Sequence, residues 1–207
     1  MRYAVIAVWM ALCPMASAVA GVNVSIGINI PVYPRLVPVP GYPVYYAPGI
    51  DSNYFFYDGL YWDFDGDQWY SSPWFNGPWR FVAPDLVPLY VLRVPVRYYR
   101  HPPVFFRGWR ADLAPRWGEH WGREWEQHRT GWDHWDHRSA PRAAPLPTYQ
   151  RRYSGDRYPQ EQRQQELHAQ NYRYQPRDAE SRQHSEQHYQ SRGGDHREGD
   201  RREGDRR

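Results

Sequence analysis

The sequence predicts a mainly β protein with one helix, an α+β arrangement. It reads as a small aromatic-rich antiparallel meander, an amphipathic Trp-striped helix and a disordered tail. Three observations carry this. Asp58-Gly59, Asp65-Gly66 and Asn76-Gly77 each sit between short aromatic runs, and such pairs tolerate the positive φ that tight hairpin turns need. Trp117, Trp121, Trp125, Trp132 and Trp135 recur at spacings of 4, 4, 7 and 3. At 100° per residue these five fall within about 80° of one another on a helix. From Arg138 onward the only Leu, Ile, Val, Phe or Trp residues are Leu146 and Leu167, too few to offset ordering entropy by burial.

Residues 1–20 read as a secretory signal peptide. Arg2 gives the positive start, Ala4 to Leu12 the apolar run, and Ala16-Ser17-Ala18 and Ala18-Val19-Ala20 the small residues of a cleavage site. The apolar run is too short for a permanent membrane anchor. The single cysteine, Cys13, falls inside this leader. A processed chain therefore has no disulfide framework and no thiolate. Export across the inner membrane is expected, to the periplasm, the outer membrane surface or the medium. No later run is apolar enough for a transmembrane helix; peripheral membrane contact stays open.

Residues 21–50 begin with VNVSIGINI, a strict apolar–polar alternation that predicts a strand with one buried face. Prolines at 31, 34, 38, 40, 43 and 48 follow; they remove backbone donors repeatedly and predict an extended, polyproline-like path. Residues 51–111 form the meander, with strands at Tyr54–Tyr57, Leu60–Phe64, Gln68–Ser72 and Trp79–Val82. Leu89 to Tyr99 (LYVLRVPVRYY) adds one more strand, which Pro95 restricts to an edge or bulge.

Residues 112–138 are the Trp-striped helix. Gly118, Gly122 and Gly131 oppose it by about 1 kcal/mol each. One buried indole supplies a gross gain of about 5 kcal/mol. The helix therefore depends on a partner surface, which is the open face of the meander, another protein or copy, or a membrane interface. Residues 139–207 are the predicted disordered tail, with a repeated REGD at its end. Within it, Pro159 to Ala169 has transient helical character.

The runs YYAPGIDSNYFFYDGLYWDFDGDQWYSSPWFNGPWRFV and VPVRYYRHPPVFFRGWRADLAPRWGEHWGREWEQHRTGWDHWDH resemble a group of small exported proteins of Gram-negative proteobacteria. The likeness covers roughly Pro43 to Tyr158. It implies export and a shared module, and it implies no activity, so no site residues follow from it. More loosely, the aromatic–Gly–Trp character is similar to envelope proteins with Trp–Gly repeats.

Charge limits the function classes. Every basic side chain other than histidine is arginine, and the formal net charge is +3. Acids and bases alternate, so no strong field draws in nucleic acid. No Ser–His–Asp grouping, nucleophile elbow, phosphate loop or dinucleotide fingerprint is present. The expectation is a non-catalytic envelope module with no cofactor, whose partner is an envelope protein or a cell-wall polymer. One alternative is carbohydrate binding through Tyr61, Trp62, Trp69, Trp74 and Trp79, whose rings suit stacking on sugar faces, or their burial as a sheet core. A second is weak metal binding by His120, Glu124 and His128, spaced every four residues on one helical face, or a solvated polar face. Asp63, Asp65 and Asp67 faintly echo a calcium loop, but Trp74 stands where its bidentate glutamate belongs.

Overall fold

The computed structural model describes residues 23–24 and 27–190. The signal-peptide reading of 1–20 and the REGD repeat lie outside these residues. Seven antiparallel strands form one sheet: β1 (Asn23–Val24), β2 (Val37–Pro38), β3 (Val44–Tyr46), β4 (Asn53–Tyr57), β5 (Leu60–Asp65), β6 (Gln68–Ser72) and β7 (Trp79–Val82). Their order is β1-β7-β6-β5-β4-β3-β2. The meander is thus sequential from β2 to β7, with β1 added beyond β7.

The central hairpins form where the turn dipeptides stand. Between β4 and β5, Asp58 and Gly59 both have positive φ, at 50° and 91°. Between β5 and β6 the positive pair is Gly66 and Asp67, at 54° and 65°, because Asp65 pairs with Gln68. Two-residue loops of this hand match the twist of the flanking strands. Asn76-Gly77 does not close a two-residue hairpin; residues 73–78 link β6 to β7.

Both faces of the sheet are buried. One carries Val44, Phe55, Tyr57, Leu60, Trp62, Phe64, Trp69 and Val82. The other carries Tyr54, Phe56, Tyr61, Tyr70 and Trp79. Aromatic rings do the work that aliphatics do in most cores. Phe64 lies 4.9 Å from Trp69 and Tyr54 lies 5.9 Å from Trp79, both in tilted or edge-on contact.

Four expectations are corrected here. Among the described residues of the alternating 22–30 segment, Asn23 and Val24 pair with β7, and 27–30 are not strand. The proline-rich path is not purely extended coil: β2 and β3 join the sheet, with Pro38 on the edge strand, where a missing donor is tolerated. Leu89–Tyr99 is not a strand. It forms α1 (Leu89–Leu92) and a 3-10 turn at Val96–Tyr98, because Pro88 and Pro95 interrupt any ladder while Val91, Leu92 and Val94 fill the core. The Trp helix is shorter than 112–138. α2 runs Trp117–His128, broken at Gly122 (φ 90°, ψ 172°), and Trp132 and Trp135 come from the chain after Gly131 (φ 85°).

The fifth correction is the largest. Much of the polar tail is ordered rather than disordered, so the fold holds more than one substantial helix. After 3-10 turns at Thr148–Arg152 and Gly155–Arg157 come α3 (Glu161–Asn171) and α4 (Ala179–Gln190). Gln150, Gln164, Leu167, Ser181, His184 and His188 are all buried. Tyrosine, histidine and glutamine side chains dock on the sheet in place of aliphatic residues. His184 meets Trp62 edge-on at 5.5 Å, and Tyr158 meets Phe75 at 5.2 Å.

Candidate functional site

Tyr61, Trp62, Trp69, Trp74 and Trp79 are only 0–3% exposed, so they are core and no stacking platform. Their polar atoms serve the fold. Tyr61 donates its hydroxyl to Gln150 Oε1 at 3.0 Å, and Trp74 donates its indole N–H to the Gln164 carbonyl at 3.3 Å.

The Trp stripe packs on the chain's own sheet. Trp117 lies 5.3 Å from Phe64 and 6.0 Å from Trp69, stacks on Trp121 at 4.4 Å, and donates to the Leu92 carbonyl at 3.0 Å. Trp125 and Trp132 are buried and touch each other at 5.9 Å. Trp135 sits 5.3 Å from both Tyr42 and Tyr90, with the Arg93 guanidinium 4.9 Å over its ring.

His120, Glu124 and His128 do not converge on a metal. The His120 Nε2 is 2.7 Å from Asp67 Oδ1, and its ring stacks on Phe105 at 3.7 Å. His128 Nδ1 donates to the Glu124 backbone carbonyl at 2.9 Å. The break at Gly122 separates the first of the three from the other two. Among the described residues no group of three or more His, Cys, Asp or Glu is placed to hold an ion. Glu124 and His128 do share a shallow groove with Trp121, Trp125, Pro84 and Asp85. Nor do the three meander aspartates gather. Asp63 is buried beside Ser52, which donates to its Oδ1 at 2.7 Å, while Asp65 is exposed. Burial pushes the Asp63 carboxyl up to about 8.

A second concavity lies in the C-terminal segment, for which the sequence predicts disorder. α3, α4 and the 172–176 link close on the Asp58-Gly59 turn and leave a cleft of about 500 Å³. Its wall is a run of rings. His168 lies 5.2 Å from Tyr172 and 5.3 Å from Tyr189, and Tyr172 lies 6.0 Å from Tyr174. Gln165, Gln175 and Ser185 add neutral polar groups, and Arg173 and Glu186 add one charge of each sign.

The hairpin turn anchors this wall. Asp58 is buried and accepts from the Tyr174 hydroxyl at 2.5 Å and from the Arg177 and Asp178 N–H groups at 2.9 and 2.8 Å. Asp178 in turn caps α4, accepting from the Glu180 and Ser181 N–H groups at 3.2 and 3.5 Å. Burial pushes the Asp178 carboxyl up to about 7, helped by a hydrogen bond to and repulsion from Glu180. Gly59 is needed for two reasons. Its φ is 91°, and a Cβ there would meet the Tyr174 ring at 3.3 Å.

α4 is held down by two buried imidazoles. His184 Nε2 contacts the Leu86 carbonyl at 3.0 Å, and His188 Nε2 lies 3.4 Å from the Ser71 hydroxyl. Arg80 donates to the Gln187 carbonyl at 2.8 Å beside them. Burial lowers both histidines below the ordinary range, and Arg80 adds to the effect at His188.

The cleft residues were missed because tyrosine and histidine were counted with the polar tail. One signal was present: His168 and Tyr172, His184 and His188, and Ser185 and Tyr189 each stand four apart, which places each pair on one helical face. No protein-family model, no curated protein and no solved structure matches the chain.

Proposed function

We propose that this is a non-catalytic interaction module exported to the cell envelope, and that its recognition surface is the cleft between α3, α4 and the β4–β5 turn. The observation that carries the reading is how the aromatic area is divided. The sheet spends its rings on the chain's own core, and Trp117, Trp125 and Trp132 of the stripe are buried with it. The rings of His168, Tyr172, Tyr174 and Tyr189 instead line a concavity of about 500 Å³, within the range of roughly 300–1,000 Å³ typical of ligand pockets. Mixed aromatic and neutral polar lining suits recognition rather than proton transfer. The leader-like first twenty residues and the resemblance to exported proteins support the location.

The test is cosedimentation of the purified protein with isolated Gram-negative envelopes. Ala169 lies exposed on the cleft wall, so Ala169→Trp fills the cleft without disturbing the core. The wild type is expected to sediment with the envelopes and the variant to stay in solution. Equal sedimentation of both would overturn the cleft as the recognition surface.

A further inference from the structure

The protonation state of the cleft can be followed atom by atom. Gln150 Nε2 donates to the Tyr149 hydroxyl oxygen at 3.2 Å. The Tyr149 hydroxyl also lies 3.3 Å from His168 Nδ1. A tyrosine O–H donated to Nδ1 leaves the proton of the neutral ring on Nε2, and the reverse bond leaves it on Nδ1. Burial holds His168 down at about 4, so the imidazole is uncharged at neutral pH. His168 therefore brings an uncharged imidazole to the lining of the cleft.

Two of the three tyrosine hydroxyls of the lining are taken, and that of Tyr189 is buried without a partner among the described residues. The Tyr174 hydroxyl is taken by Asp58 at 2.5 Å and the Tyr172 hydroxyl by the Pro145 carbonyl at 2.6 Å. These two residues present ring surface, not hydroxyls. Gln165 turns its amide nitrogen to the His188 carbonyl at 3.3 Å, which leaves its amide oxygen as the atom that can accept from a ligand. Arg173 and Glu186 oppose each other in sign at the lining, so neither an anion nor a cation gains a net field there. A fitting ligand has an apolar C–H face for the rings, a hydroxyl oxygen for the imidazole and a hydroxyl proton for Gln165. It carries no charge.

We infer that Tyr149 donates to His168 Nδ1, leaving the imidazole proton on Nε2, and that the cleft binds a neutral pyranose sugar with a ring hydroxyl accepting from that Nε2–H. In this assignment Tyr149 is a positioning residue, outside the cleft lining and acting through its bond to Nδ1. This rests on the cleft being the recognition surface, and it names what that surface takes.

The experiment is NMR on the purified full chain with ¹⁵N-labelled histidine. Three tetrasaccharides of similar ring shape are titrated: the neutral N-acetylglucosamine tetramer, its cationic deacetylated form, and an anionic galacturonic acid tetramer. The neutral tetramer is expected to shift the His168 Nε2 resonance and to bind at least about tenfold more tightly than either charged one. Tyr149→Phe is expected to weaken that binding about fivefold, the worth of roughly one hydrogen bond, and to move the His168 nitrogen shifts toward a tautomer mixture before any sugar is added. His168→Phe, which keeps the ring, is expected to bind as weakly as Tyr149→Phe or more weakly. A charged tetramer binding best, or a Tyr149→Phe variant with unchanged tautomer and affinity, would overturn the assignment. If no sugar shifts a cleft resonance while envelope sedimentation still depends on Ala169, the sugar class is wrong and the interaction surface stands. If sedimentation is also indifferent to Ala169→Trp, both fall.

Discussion

Gln150 and Tyr61 are joined across 89 residues of sequence by a 3.0 Å hydrogen bond from the tyrosine hydroxyl to the amide oxygen. The same oxygen accepts from the Phe75 N–H at 3.3 Å, and the amide nitrogen donates to the Pro73 carbonyl at 2.9 Å and to the Tyr149 hydroxyl at 3.2 Å. Gln150 is fully buried, and both its oxygen and its nitrogen make two bonds. One polar residue from the C-terminal third thus satisfies three groups of the meander. Gln150→Ala is expected to strand the Tyr61 hydroxyl, the Phe75 N–H and the Pro73 carbonyl, and to destabilise by about 2–4 kcal/mol. Chemical denaturation measures it; a loss under about 0.5 kcal/mol would show that the bonds carry little.

At the β4–β5 turn, Gly59→Ala forces a side chain into a positive-φ position and against the Tyr174 ring. A cost of about 1–3 kcal/mol is expected. Movement of Tyr174 should also weaken its bond to Asp58 and disturb the cleft, which tyrosine side-chain NMR would register. An unchanged Tyr174 resonance would contradict the coupling of turn and cleft.

Asp63 gives a pH dependence of definite sign. Its carboxyl is held up at about 8 by burial, against 3.8 ordinarily. Between these values the folded state keeps a proton that the unfolded state releases, so stability falls as pH rises through that interval. Asp63→Asn removes the dependence. The variant is expected to gain on the wild type steadily from pH 4 to pH 8 in thermal melts. Asp178, raised in the same sense, cancels in this comparison. A constant gap would contradict a protonated Asp63.

The histidines under α4 act in the opposite sense. Burial lowers His184 and His188, so the unfolded chain takes up protons that the folded chain refuses. Their contribution is intact above about pH 6.5 and is lost as pH falls below it. His188 faces Arg80, His184 and Ser71; His184 faces the Leu86 carbonyl, Gln187 and Glu180. α4 is expected to loosen between pH 6.5 and pH 5, read as amide exchange corrected for its intrinsic pH dependence. His188→Gln should remove most of that change. An identical profile in the variant would place the acid sensitivity elsewhere.

The sequence is easiest to read where a backbone requirement selects a residue. Asp58-Gly59 marks its hairpin because few residues accept positive φ, and the aromatic runs beside it mark the buried strands. The seat of Trp117 against the sheet follows from its place on the stripe. The helix ends do not, because Gly122 and Gly131 adopt positive φ that a hydrophobic pattern does not encode. The C-terminal third was illegible for a different reason. Aliphatic content says nothing of Gln150, His188 or Tyr172, whose burial depends on bonds to partners far away in sequence. The cleft is built from that part of the chain, so its residues were hidden with it.

Amide hydrogen exchange across residues 161–190 of the full chain at neutral pH tests the central claim most directly, that this polar segment folds onto the sheet and walls a cleft. Protection in α3 and α4 approaching that of β4 to β6 is the expected result. Exchange of both helices at the rate of a free peptide would contradict the account.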